Sequence, residues 1–303
     1  MGSTVPGVDA GARQRLTARF GNEVAPWFEE LSGVLSALAE RWQFELGEPI
    51  PRGSVSVVFR CRMADGRGAV LKASPDRARL AYEAAALDAW HTHHVPAVLA
   101  LDEQLGALLI EAIEPGTPLV VSSTYPAPES AAELLNSLHA GGVPHPSYPT
   151  VGNRVAYLFE SSAKLYDRRP ELAALIPPEL YERGRRLATR LAQNASPTVL
   201  LHGDLTPSNI LDGAERGLVA IDPAPCLGDA AFDAVDMVLW QADDSQTIEA
   251  RAERLAAATD TDAERVLDWC TAFAGMTVLE LASQAGGPRS RIQALQEFAA
   301  HAS

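Results

Sequence analysis

One stretch constrains this chain more than any other. It runs Leu201-His202-Gly203-Asp204-Leu205-Thr206-Pro207-Ser208-Asn209-Ile210-Leu211 and is followed by Val219-Ala220-Ile221-Asp222-Pro223. An Asp, an Asn and a second Asp are set between apolar, strand-like runs. Leu205, Ile210 and Leu211 can anchor such a loop in a core, so that the polar residues between them face a ligand. Two carboxylates and an amide oxygen are hard donors of the kind Mg²⁺ takes, and Mg²⁺ completes its shell with water and substrate phosphates. Phosphoryl transfer asks for little more: an acceptor hydroxyl held in line, and metal ions to absorb charge.

The spacing has a known counterpart. The protein-kinase catalytic loop reads H-R-D-L-x-x-x-N, with a metal-binding Asp further on, and H-G-D-L-T-P-S-N matches it from Asp204 to Asn209 residue for residue. Asp204 is therefore expected to accept the hydroxyl proton, and Asn209 and Asp222 to hold Mg²⁺.

Hydrophobic spacing organises the rest. Val24, Trp27, Phe28, Leu31, Leu35 and Leu38 recur at helical steps and predict a helix over 13–42. Residues 55–63 and 69–73 are β-rich on either side of Asp65-Gly66, a hairpin signal. A helix is expected over 76–90, then strands at 98–102 and 107–111. Beyond Pro115-Gly116 helices are expected at 129–140, 151–167, 178–194, 246–258 and 261–284. The predicted fold is α+β and bilobal. Residues 1–114 form a small β-rich nucleotide-binding lobe with an N-terminal helix. Residues 115–303 form a larger, mainly helical lobe for catalysis and substrate.

Lys72 ends the second hairpin strand. It is one of two lysines in the chain, among 25 basic residues, and a compact ammonium suits a phosphate. Glu83, on the following helix, is its expected partner. Gly53 and Ser54 stand where a loop over the phosphates belongs. Glu111 and Ile113 lie in the connecting segment, whose backbone can meet the purine.

Together these motifs resemble the aminoglycoside phosphotransferase superfamily, most closely its streptomycin 6-phosphotransferase and hydroxyurea phosphotransferase branch. The likeness is carried by His202-Gly203-Asp204-Leu205 with Asn209-Ile210-Leu211, by Ala220-Ile221-Asp222-Pro223 with Gly228-Asp229 and Phe232-Asp233, and by Leu134-Leu135-Asn136-Ser137-Leu138-His139. It implies a protein-kinase-like fold and an O-phosphotransferase using Mg²⁺ with ATP or GTP. His202 is expected to brace the loop. Gly203 stands in place of the kinase Arg, Pro223 in place of the Phe of D-F-G, and no A-P-E follows. A small-molecule acceptor is expected, with no activation loop.

Charge bears on the acceptor. The net charge is −14, which disfavours nucleic acid and anionic membranes and suits a cation. Residues 200–244 hold eight Asp and Glu215 against Arg216 alone, and Asp229, Asp233 and Asp236 follow Asp222. Asp229 and Asp233 are the expected cation partners, although Asp229 equally suits a helix cap and Asp233 a brace for the loop. A streptomycin-like aminoglycoside is the first expectation. A choline-like amine, a sugar amine or hydroxyurea is the alternative. A pseudokinase would lack one of Lys72, Asp204, Asn209 and Asp222, and all four are present. Cys61, Cys226 and Cys270 are scattered and read as reduced thiols of a cytoplasmic protein. No apolar run reaches the ~18 residues of a membrane span. His91, His93 and His94 read as a surface loop because no second ligand group lies beside them. A monomer is expected.

Overall fold

A five-stranded antiparallel sheet organises the first of two units into which the chain divides. That unit comprises residues 1–89 and 95–116, and the second comprises 90–94 and 117–303. The computed structural model describes residues 10–51, 55–122, 124–194, 198–284 and 287–301.

The first unit runs α1 (Ala10–Phe20), α2 (Ala25–Trp42), β1 (Phe44–Pro49), β2 (Val57–Met63), β3 (Gly68–Ala73), α3 (Arg77–Ala89), β4 (Val98–Asp102) and β5 (Ala107–Glu111). The strand order is β1-β2-β3-β5-β4. The expected single helix over 13–42 is broken, because Gly21 takes a left-handed φ of 74° and a 3₁₀ turn intervenes before α2. Strand β1 was not anticipated. Its sequence, Phe-Glu-Leu-Gly-Glu-Pro, has little strand character, but an edge position tolerates Pro49. Leu31, Leu35 and Leu38 of α2 share one core with Phe59, Leu71 and Leu109 of the sheet. Each such side chain stabilises the unit by roughly 1.5–3 kcal/mol on full burial. The Arg79 N–H donates to Asp76 Oδ1 at 3.1 Å, so Asp76 caps α3.

The second unit continues with β6 (Thr117–Pro118), α4 (Pro128–Gly141), α5 (Val151–Arg168), α6 (Pro178–Gln193), β7 (Val199–Leu201), β8 (Ile210–Asp212), β9 (Leu218–Ala220), β10 (Cys226–Gly228), α7 (Val235–Leu239), α8 (Ser245–Thr259), α9 (Ala263–Ser283) and α10 (Arg289–Ala299). Helices α7 and α10 add to the expected set. Helix α9 has the length and apolar composition of a membrane span. Its Trp269, Ala272, Phe273, Val278 and Leu279 are nevertheless buried, and it packs on α6, α8 and α10 as a core helix. Phe159, Phe232, Trp269 and Phe273 form an aromatic cluster, and Phe232 and Phe273 line a pocket with Gly203 and Asp204 of the 199–228 segment. That segment is held by two small sheets: β7 pairs with β10, and β8 lies between β6 and β9.

Candidate active site

Gly203 fixes the shape of the loop after β7. Its φ is +75°, and a Cβ there would sit 2.1 Å from the Ala224 carbonyl oxygen. Only glycine meets both demands, so the arginine of the kinase loop has no room at this position. The backbone N–H groups of His202 and Gly203 donate to the two oxygens of Asp233, at 2.8 and 2.9 Å. His139 Nε2 donates to Asp233 as well, at 3.1 Å. Burial alone would push the Asp233 carboxyl up. The His139 hydrogen bond, with the Gly203 N–H beside it, outweighs burial and holds the carboxyl below its usual range.

His202 is fully buried. Burial lowers its pKa against the pull of Asp233 and Asp204, so it stays neutral. The ring donates from Nε2 to the Ile221 carbonyl at 3.1 Å and accepts at Nδ1 from the Asp204 N–H at 3.3 Å. With Trp90 stacked on it, this histidine ties the residues around Asp204 to those around Asp222.

Asp204 is engaged at both oxygens. Arg154 of α5 donates to Oδ1 at 2.9 Å and to the Gly203 carbonyl at 2.7 Å. Asn209 Nδ2 donates to the Asp204 carbonyl at 2.9 Å and to Oδ2 at 3.2 Å. Asn209 thereby commits its nitrogen to Asp204 and turns the amide oxygen, a metal donor, the other way. Asp222 sits at φ 57°, the left-handed region that a non-glycine residue occupies only at a cost. This hard oxygen set fits Mg²⁺.

Asp229 and Asp233 were expected to receive a cation, and the protein itself takes up both. Asp229 caps the turn after β10 by accepting from the Ala231 N–H, and it also accepts from Arg265 and, at 2.7 Å, from Trp269 Nε1. Asp233 is buried under the loop. The pocket at Asp204, which Asp233 also borders, presents two further acids, Asp236 on α7 and Glu280 on α9, beside Leu158, Phe232, Phe273 and Met276. Burial, then the charges of Asp204 and Glu280, push the Asp236 carboxyl up to about 7. Nothing local in the sequence announces Arg154, because it arrives from a helix fifty residues upstream.

In the first unit Lys72 and Glu83 form a buried ion pair. Lys72 stands between Val58 and Leu108 in the sheet, which fixes the strand beneath its ammonium. Glu111 Oε2 accepts from the Ala97 N–H at 3.1 Å, and Ile113 is buried. Gly53 and Ser54 lie outside the described residues.

Residues 41–283 match the family described as aminoglycoside/hydroxyurea antibiotic resistance kinase. Streptomycin 6-kinase of Streptomyces griseus is 27% identical over 241 residues, spanning 78% of this chain and 75% of that protein. Hydroxyurea phosphotransferase of Kitasatospora aureofaciens is 31% identical over 222 residues, 71% of this chain and 63% of that protein. Among solved structures, choline kinase LicA from Streptococcus pneumoniae superposes with a TM-score of 0.59 at 14% identity, over 90% of this chain and 98% of that one. The fold is the protein-kinase-like α+β fold.

Proposed function

This chain belongs to the aminoglycoside/hydroxyurea antibiotic resistance kinase family, and from that premise we propose that it phosphorylates a hydroxyl of a cationic aminoglycoside, streptomycin-like in its guanidinium groups. It is a phosphotransferase with an alcohol group as acceptor. The observation that carries the finer reading is the pocket at Asp204, where Asp236 and Glu280 add two carboxylates. A cationic acceptor gains from them, whereas neutral hydroxyurea leaves them unpaired.

In this reading Asp204 accepts the proton of the acceptor hydroxyl as its oxygen bonds to the γ-phosphorus. The bond from that phosphorus to the bridging oxygen breaks, and ADP leaves. Arg154 and Asn209 hold the Asp204 carboxylate still, so little reorganisation is needed at that moment. Lys72, kept straight by Glu83, neutralises nucleotide phosphate. Mg²⁺ bound by Asn209 and Asp222 would offset the charge that builds on the phosphoryl oxygens. The acceptor in this reading is a small molecule, met in the cytoplasm.

A choline-like amine is the second reading, favoured by Phe232, Phe273 and Met276 in the same pocket, since aromatic faces attract quaternary ammonium groups. The test is phosphate transfer from labelled ATP with Mg²⁺ to streptomycin, a kanamycin-type aminoglycoside, hydroxyurea and choline. Labelling of streptomycin supports the first reading and labelling of choline alone the second. Labelling of hydroxyurea alone removes both.

The acid pair also sets a pH dependence. Asp236 loses its proton as pH rises through about 7, with Asp204, Glu280 and Asp233 adding negative charge around it and Arg154 opposing them. The pocket therefore becomes more anionic. KM for a guanidinium-bearing acceptor, whose own charge does not change, should fall severalfold between pH 6 and 8. Asp236→Asn should flatten that profile and raise KM at pH 8 by about tenfold, the loss of one charge-assisted contact. An unchanged profile in Asp236→Asn would show that Asp236 does not meet the cation.

A further inference from the structure

The loop Trp90–His94 carries a second ligand constellation, apart from the phosphoryl-transfer residues. His93 and His94 point ring nitrogens toward Glu133 of α4, and one ligand atom from each lies within 4.8 Å of the other two. The sequence placed His91, His93 and His94 here without a second ligand group beside them. The fold supplies it, because α4 packs beside the loop. We propose that His93, His94 and Glu133 form a binding site for one divalent transition ion of the zinc class.

Three features favour an ion over a chance cluster. First, the buried ligand is pre-oriented. His94 is 1% exposed, and its Nδ1 lies 2.6 Å from the Leu218 carbonyl oxygen. That carbonyl can only accept, so Nδ1 carries the hydrogen and Nε2 presents its lone pair. A backbone carbonyl on the far nitrogen is the usual outer partner of a metal-bound histidine. Second, Nε2 faces Glu133 Oε1 at 3.9 Å. That is too long for a hydrogen bond, and a shift of about half an ångström would bring the two atoms to the spacing of neighbouring ligands on one tetrahedral ion. Third, the loop backbone is fixed before any ion arrives. The His91 N–H donates to the Gly141 carbonyl at 3.1 Å, the Ala220 N–H donates to the His94 carbonyl at 2.8 Å, Thr92 bonds Ser137, and Arg216 donates to the His93 carbonyl. Neither histidine has to be recruited at a large entropic cost.

The donor set selects the metal. Two imidazole nitrogens and one carboxylate suit zinc with a water in the fourth position, and they suit Mg²⁺ poorly. His93 and Glu133 are exposed, which gives an ion a way in. Bound there, it would fasten the loop to α4 and to β9, the strand that leads to Asp222.

The test is equilibrium dialysis of the full chain, stripped with chelator, against Zn²⁺ in excess Mg²⁺ so that the phosphoryl-transfer ligands are masked. Co²⁺ absorption reports coordination in parallel. The expected result is about one Zn²⁺ per chain, with affinity reduced more than about tenfold in both Glu133→Gln and His93→Ala and loss of the Co²⁺ bands. Both substitutions are at exposed positions, so the variants should fold, and circular dichroism checks this. Absence of stoichiometric binding overturns the proposal. So does Zn²⁺ binding that both variants retain at full affinity, since the ion would then be held elsewhere.

Discussion

Replacing Asp204 by Asn is expected to cut kcat by about 10³-fold, within the roughly 10²–10⁴ that a positioned general base contributes. The substitution keeps the size of the side chain and removes its ability to take a proton. It also sets an amide where Arg154 and Asn209 present donors at 2.9 and 3.2 Å. Nucleotide affinity should change little, because Lys72 and Glu83 belong to the other unit. Steady-state kinetics on the acceptor found by the labelling panel, with nucleotide binding measured separately by fluorescence titration, separate the two effects. Retention of more than about a tenth of wild-type kcat would remove Asp204 from the role of base. Arg154 provides a useful contrast. It touches Asp204 and the Gly203 carbonyl and acts through them, so it is a positioning residue. Arg154→Lys should recover part of the kcat lost in Arg154→Met, since it restores the charge without the second hydrogen bond.

The grouping of polar residues in the second unit was legible because it is local. Asp204, Asn209 and Asp222 lie on one short hairpin, and the apolar residues between them fix which side chains turn outward. Lys72 and Glu83 were legible for the same reason: a strand, a tight connection and a helix leave few ways to meet. What the sequence concealed depends on tertiary contact. Asp229 reads equally as a cation partner or a helix cap until Arg265 and Trp269, contributed by α9, fill its oxygens. Asp236 reads as one of three acids following Asp222 until α9 brings Glu280 to the same pocket. Arg154 has no local signal, since its partner lies fifty residues away. The histidines at 93 and 94 lacked a third donor because Glu133 comes from a different helix. Edge strand β1 escaped because pairing with β2, and not its own propensity, makes it a strand.

Asp233→Ala should destabilise the second unit by about 3–5 kcal/mol, the usual consequence of removing one partner from a buried charged network. The carboxylate is 2% exposed and accepts from two backbone N–H groups and His139. Deletion leaves the His202 and Gly203 N–H groups buried without acceptors, each at a cost of about 1–3 kcal/mol. Urea unfolding at pH 7 reads the difference. The same carboxyl titrates below its usual range when folded. Its stabilisation is therefore fully present above the unfolded value of about 3.9 and lost as pH falls through the lower folded value. The gap between wild type and Asp233→Ala should be flat from pH 6 to 8 and should narrow below about pH 4. A gap that instead widened in acid would mean that Asp233 is protonated in the native state. Asp233→Asn should fall between the two, because its oxygen still accepts from one loop N–H while its amide nitrogen opposes the other. Activity should fall with stability across this series even at temperatures where every variant is folded, since the same two N–H groups that anchor the loop also set the position of Asp204.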